Sequence, residues 1–277
     1  MVAPNYDYDI AQLVAAYKRA VADILRELYA MDTTAISQAN ARATLAEIAR
    51  ILKELNAESA AWAATNIPRA VTDGITSTIV ALGAADTVEA AEKIVKFNRM
   101  NADLIKTAIA DTQADLLAVT QNIDRKTRDA VRTATMESMR ANMAAGINGR
   151  RTISRDILTR MRAQLGDSVN TGIIDAAGRR WKPEVYVDMA VRTKMMRTHT
   201  EATINEAVAR DALFGVISRH GARDACAKYE GKIVKLTPDA PGDYPFIGDL
   251  PRRDIFHPNC RHVVSPVRKP EFIEGGT

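Results

Sequence analysis

Cysteine is nearly absent, with two in 277 residues, so no disulfide framework can carry this fold. Histidine occurs four times, which leaves little imidazole for scattered acid–base chemistry. Aromatic residues make up 5% of the chain, too few to build a base-stacking surface and few enough that any core must be aliphatic. Glycine is thinly spread, and the chain has no phosphate-binding loop and no GxGxxG, HExxH or GxSxG motif, which removes the common nucleotide-binding, zinc-protease and serine-hydrolase signatures. No apolar run approaches the roughly 18 residues that a membrane-spanning helix needs. Residues Met1 to Asp7 contain no basic stretch leading into an apolar one, so no signal peptide is expected. Synthesis in a reducing cytoplasm is the corresponding expectation.

What the chain has is aliphatic periodicity. Ile10, Leu13, Val14, Tyr17, Val21, Ile24, Leu25 and Leu28 recur at steps of three and four, the spacing that lays one apolar stripe along a helix. Met31 to Thr34 is expected to break that helix. Leu45, Ile48, Leu52 and Leu55 form a second stripe, and Pro68 is expected to open a third helix, through Val71, Ile75, Ile79 and Leu82, that ends at Gly83. Asp86 with Glu89 reads as a capping box for the next. Ile105, Ile109, Thr112, Leu116, Val119 and Ile123 follow, with Met136, Met139 and Met143 prolonging the seam. Such stripes suit an antiparallel bundle more than an intermolecular coiled coil.

Gly146 and Gly149 punctuate the chain as a hinge. Beyond them the sequence predicts a basic helix over 151–165, a short strand pair between Gly172 and Trp181 turning at Gly178, and a helix from Pro183 to about Leu213. Short strands follow at 214–218 and 232–236. A Pro/Gly/Asp-rich excursion over 238–258 precedes a last strand, 262–267. The expected fold is mainly α: a helical bundle over 1–148, then a basic helix and a small α+β domain over 149–277.

Charge is uneven. Residues 121–200 hold 16 Lys and Arg against 8 Asp and Glu, whereas 1–120 hold 11 against 15. Arg150, Arg151, Arg155, Arg160 and Arg162 form the densest cluster. It reads either as a solvated helix face or as a surface for nucleic-acid phosphate, which guanidinium groups contact well.

Both cysteines and three of the four histidines fall in two short segments, His220 to Cys226 and Phe256 to His262. Cys226, His257, Cys260 and His262 supply two thiols and two imidazoles, a donor set that suits one structural zinc. The tight His257-x-x-Cys260-x-His262 spacing is not the usual zinc-finger pattern, and His220 is a spare candidate. Two other readings stand beside it. One is a metal-free clasp in which Asn259 and Arg261 pin the excursion and the thiols are buried as small hydrophobes. The other is phosphodiester cleavage by the histidines with Arg223, Arg261 or Glu230. A Cys226–Cys260 disulfide would need an oxidising destination.

These segments also carry a resemblance. The ordered blocks His220-Gly-Ala-Arg223, Cys226, Tyr229-Glu-Gly-Lys232, Gly242-Asp-Tyr-Pro245 and His257-Pro-Asn-Cys-Arg-His262, preceded by Gly178-Arg179, Tyr186 to Thr193 and Arg197, resemble the C-terminal, Mu-F-like domain of tailed-bacteriophage minor capsid (head morphogenesis) proteins. The match covers roughly residues 172–266; the first 170 residues resemble no family. The resemblance implies a virion protein of the phage head made in the host cytoplasm. Its expected partners are the portal and major capsid proteins and, non-specifically, packaged DNA, with no membrane and no small-molecule substrate. It further implies a role in head morphogenesis, DNA packaging or ejection rather than catalysis. The alternative is a nuclease-like or toxin-associated effector using His220, His257 and His262.

Overall fold

The computed structural model of the chain describes residues 3–30, 38–147, 149–170, 173–174 and 178–274. The expected break at 31–34 lies outside them, as do Asn148 in the expected hinge and Gly172. Among the described residues the protein is mainly α, with seven helices and five short strands. They form two compact units, each assembled from separated stretches: 1–9, 63–112 and 189–277 in one, 10–62 and 113–188 in the other. Composition divides the chain near residue 148; compactness divides it differently, because the long helices contribute to both units.

The mainly helical unit is built from α1 (Asp7–Ala30), the first part of α2 (Gln38–Ala81), most of α4 (Arg99–Ala144) and α5 (Arg150–Asn170), with one short strand pair after them. The α1 stripe is buried as its period predicts, at Ile10, Leu13, Tyr17, Ile24 and Leu28. Tyr17 donates its hydroxyl hydrogen to the Leu116 carbonyl of α4 (3.2 Å). On α4 the buried seam runs through Leu116, Val119, Ile123, Thr127, Ala130, Ala134 and Ser138. Met136, Met139 and Met143 do not prolong it; they are exposed. Small residues take the inward positions because α5 packs close, with Ser138 donating to the Ile153 carbonyl and the Asn142 amide to Asp156. Gly146, at φ +69°, ends α4 with Ile147 N–H on the Asn142 carbonyl and Gly146 N–H on that of Met143, a Schellman cap.

Pro68 opens no helix: α2 passes through it without interruption. An interior proline costs about 3 kcal/mol in an isolated helix. Here Ile67, Ala70, Val71 and Ile75 are all fully buried, and Ala64, whose carbonyl loses its partner, is exposed to water. Burial on both sides outweighs the local preference. Gly83 (φ +67°) ends the helix with a second Schellman pair. The following helix, α3 (Val88–Glu92), is capped by Thr87, whose side chain accepts from Ala90 N–H, not by Asp86.

The second unit packs α3, the start of α4 and α6 (Pro183–Ala209) with a three-stranded antiparallel sheet of order β4-β3-β5. Its strands are β3 (Phe214–Ile217), β4 (Ile233–Lys235) and β5 (Val264–Val267). The expected strand pair before α6 is present as β1 (Ile173–Ile174) and β2 (Arg180–Trp181). Pro266 is tolerated because β5 is an edge strand. Within this unit α2 and α6 approach backbone to backbone at Gly74: a Cβ there would lie 2.5 Å from the His199 carbonyl oxygen.

Candidate functional site

Strand β3 brings the two motif segments together. Its pairing Ile217↔Val264 continues outward as Ser218 N–H to the Val263 carbonyl (2.9 Å), which sets His262 beside the end of β3. On the other side, Gly231 N–H reaches the Ile217 carbonyl (2.8 Å) and closes the β3–β4 loop over residues 218–232. Inside that loop the 3-10 helix Ala225–Tyr229 carries Cys226, and Asp224 caps it by accepting Cys226 N–H at 3.0 Å. Gly231 has φ +75° with the Arg219 guanidinium packed where a Cβ would be, so this return needs glycine.

The His-Pro-Asn-Cys signature is a β-turn. Cys260 N–H donates to the His257 carbonyl (2.9 Å) and Asn259 sits at φ +64°. Proline second and a left-handed residue third is the type II pattern. The turn folds His257 back over Cys260.

The four predicted ligands fall there in two triads that share Cys226: Cys226, Cys260 and His262 in one, Cys226, His257 and Asp224 in the other. Cys226 Sγ is 3.0 Å from His257 Nε2 and 3.8 Å from Cys260 Sγ, and Cys260 Sγ is 3.3 Å from His262 Nδ1. Cys226, Cys260 and His262 are buried, while His257 is partly exposed. Both thiols are free. Burial and the facing Cys260 sulfur push the Cys226 thiol up to about 12, so without a cation at the centre the Cys226 sulfur stays protonated.

Glu230 organises this cluster, a role the sequence did not reveal. Its Oε1 accepts the backbone N–H groups of His220 (2.9 Å) and Ala222 (3.0 Å) and lies 3.3 Å from His262 Nε2. The backbone donors come first in drawing its carboxyl down to about 2. The sequence offered Glu230 only as a possible partner in phosphodiester cleavage and as part of the Tyr229-Glu-Gly-Lys232 block. His220 stacks on His262 with ring centroids 4.1 Å apart, Nε2 to Nδ1 at 3.3 Å. The residues expected to pin the excursion do so differently: Asn259 through its turn geometry and a long N–H contact to Thr193 Oγ1 (3.4 Å), while Arg261 is exposed. Lys228 pairs with Asp254 instead, and Tyr229 reaches the same carboxylate at 3.5 Å. Beside the cluster a cleft of about 220 Å³ opens between α6 and the excursion, walled by Met196, Ile204, Leu236, Phe246 and Phe256.

The arginine cluster lies on α5. Arg151 and Arg155 are exposed, and Arg160 is held by Asp156 (3.0 Å) with Glu137 at 3.9 Å. The side chains of Arg150 and Arg162 lie outside the described residues.

No curated protein and no solved structure matches the chain. A family model described as phage minor capsid protein 2 matches residues 6–275, so the family reaches across the N-terminal helices that resembled nothing by sequence reading. Such a protein resides in the virion and contacts other virion proteins. The chain belongs to the phage minor capsid protein 2 family.

Proposed function

We propose that this protein is a low-copy component of a tailed-phage head that docks at or near the portal, touching portal and major capsid proteins, and acts in head morphogenesis, DNA packaging or ejection. The observation that carries this reading is the family match over residues 6–275. The structure adds support of two kinds. The helical unit offers long exposed helix faces for protein contact, and α5 presents Arg151 and Arg155 to solvent, where non-specific DNA phosphate can meet them.

The role is structural rather than catalytic. His262 is buried with both ring nitrogens beside polar partners, and the Glu230 carboxylate is occupied by backbone donors. Neither is placed to pass protons to a substrate.

The test is assembly with and without the gene. Procapsids should contain the protein in few copies, and cross-linking should join it to the portal. Heads formed without it should package or eject DNA poorly. Cross-links confined to other proteins, with normal DNA uptake and delivery in its absence, would refute the portal role. RNA or DNA cleavage by the purified protein, abolished by His257→Gln, would establish the effector reading instead.

A further inference from the structure

We propose that Cys226, Cys260, His262 and His257 bind one zinc ion, which locks the 238–262 excursion to the β3–β4 loop. The first support is the spacing of donors. In a tetrahedral site, thiolates about 2.3 Å and imidazoles about 2.0–2.1 Å from zinc leave roughly 3.8 Å between sulfurs and roughly 3.6 Å between sulfur and nitrogen. The Cys226 and Cys260 sulfurs are 3.8 Å apart. The two sulfur–nitrogen distances, 3.0 and 3.3 Å, are shorter than a tetrahedral site leaves, and His257 stands in a separate triad with Cys226 and Asp224, so side-chain rotation has to bring its Nε2 round to the shared centre. Donor atoms of Cys226, Cys260 and His262 all lie within 4.8 Å of one another, and so do those of Cys226, His257 and Asp224.

The second support is which nitrogen of each imidazole is free. His257 Nδ1 is 2.8 Å from the Pro258 carbonyl oxygen, which can only accept, so Nδ1 carries the hydrogen and the lone pair of Nε2 faces Cys226. His262 Nε2 lies against the Glu230 carboxylate, so its hydrogen is there and the Nδ1 lone pair faces Cys260. Both rings are oriented from behind by an oxygen acceptor, the arrangement that fixes zinc-ligating histidines. Neither acceptor is needed merely to bury a thiol.

His220 is the competitor for the fourth position. Its Nε2 meets the bare Nδ1 of His262 at 3.3 Å, so it presents a hydrogen to the cluster rather than a lone pair. When zinc takes the His262 lone pair, the exposed His220 ring is released towards water. Charge also closes. Binding displaces one proton from each thiol, and two thiolates neutralise the dication, so the site is left neutral overall.

The experiment uses the full-length protein expressed in zinc-supplemented medium and desalted. Native mass spectrometry and elemental analysis should find one zinc per chain. Cobalt substitution should give the intense visible bands of a tetrahedral site with thiolate charge transfer. Cys226→Ser, Cys260→Ser and His262→Asn should lose the metal, His257→Gln should weaken binding at least tenfold, and His220→Gln should keep full stoichiometry. Because a cysteine variant can fail to fold for other reasons, the wild type supplies an independent reading: its two thiols should react at least tenfold faster with a thiol reagent after chelation. Zinc-free wild type with chelator-insensitive thiol reactivity overturns the proposal and leaves a hydrogen-bonded clasp. Loss of metal in His220→Gln but not in His257→Gln overturns the ligand set.

Discussion

Gly74→Ala adds a methyl group to α2 where α6 lies closest. The new Cβ would sit 2.5 Å from the His199 carbonyl oxygen, 3.0 Å from Ala202 Cβ and 3.1 Å from Thr203 N, against 3.4 Å for ordinary contact. Two of those three atoms are backbone, so no side-chain rotation relieves them, and the helices must part by roughly 1 Å, an overpacking strain of about 1–3 kcal/mol. Parting also stretches the hydroxyl bridges: Thr203 Oγ1 to the Gly74 carbonyl and Thr78 Oγ1 to the Thr203 carbonyl, each already 3.3 Å long. Each hydroxyl's one hydrogen also reaches its own helix at 2.9 Å, so losing the longer arms costs only roughly a few tenths of a kcal/mol. Alanine's better helix propensity returns about 1 kcal/mol. The net expectation is a loss of about 1–2 kcal/mol, read as a lower urea midpoint at unchanged slope. The same change at an open helical position gains stability, so the sign is diagnostic. A midpoint unchanged or raised in Gly74→Ala would refute the close backbone packing of α2 on α6.

Three further outcomes are expected. His199 is buried, neither ring nitrogen has a hydrogen-bond partner among the described residues, and burial lowers its pKa to about 4. The unfolded chain therefore binds a proton that the folded one refuses: stability is full above pH 6.5 and falls by about 2 kcal/mol by pH 5, a slope that denaturant titrations should find missing in His199→Leu. Asn259→Gly should leave thermal stability unchanged or slightly raised, whereas Asn259→Val should cost about 1–2 kcal/mol, because only residues at ease with φ +64° fit the third turn position. Arg151→Gln with Arg155→Gln should flatten the salt dependence of duplex binding by up to about 1.8 units of log–log slope; an unchanged slope in filter binding or fluorescence anisotropy would assign α5 to a protein-facing or purely solvated surface.

Where burial followed residue type, the sequence was readable. Ile10, Leu13, Tyr17, Ile24 and Leu28 of the α1 stripe became core while Val14, Val21 and Leu25 flank it half-buried, and Gly83 and Gly146 ended helices because only a left-handed residue completes a Schellman cap. It misled where packing distance or tertiary burial decides. Met136, Met139 and Met143 fit a heptad step, but the inward positions of α4 went to Ala134 and Ser138, which let α5 approach; apolar period reports hydrophobicity, not how close a neighbour comes. Pro68 looked like a helix start because local propensity is all that a proline shows in a sequence.

The Cys/His set was visible as composition, but what arranges it was not. Sequence spacing makes His257-x-x-Cys260-x-His262 look tight and unlike a zinc finger, though it allows Cys260 and His262 to share one ion. A type II turn supplies the missing geometry by reversing the chain between His257 and Cys260, and the β3–β5 register then places His262 on the same side as Cys226. Both devices are encoded, one in Pro258-Asn259 and the other in the strand pattern around Gly215 and Val264, yet neither looks like a ligand motif. Glu230 was harder still to foresee, because its work consists of accepting backbone hydrogens from a loop that exists only once β3 and β4 have paired. A cluster of this kind is read most safely by asking which ring nitrogen is left bare, and that depends on acceptors such as Pro258 and Glu230 that no metal-binding pattern lists.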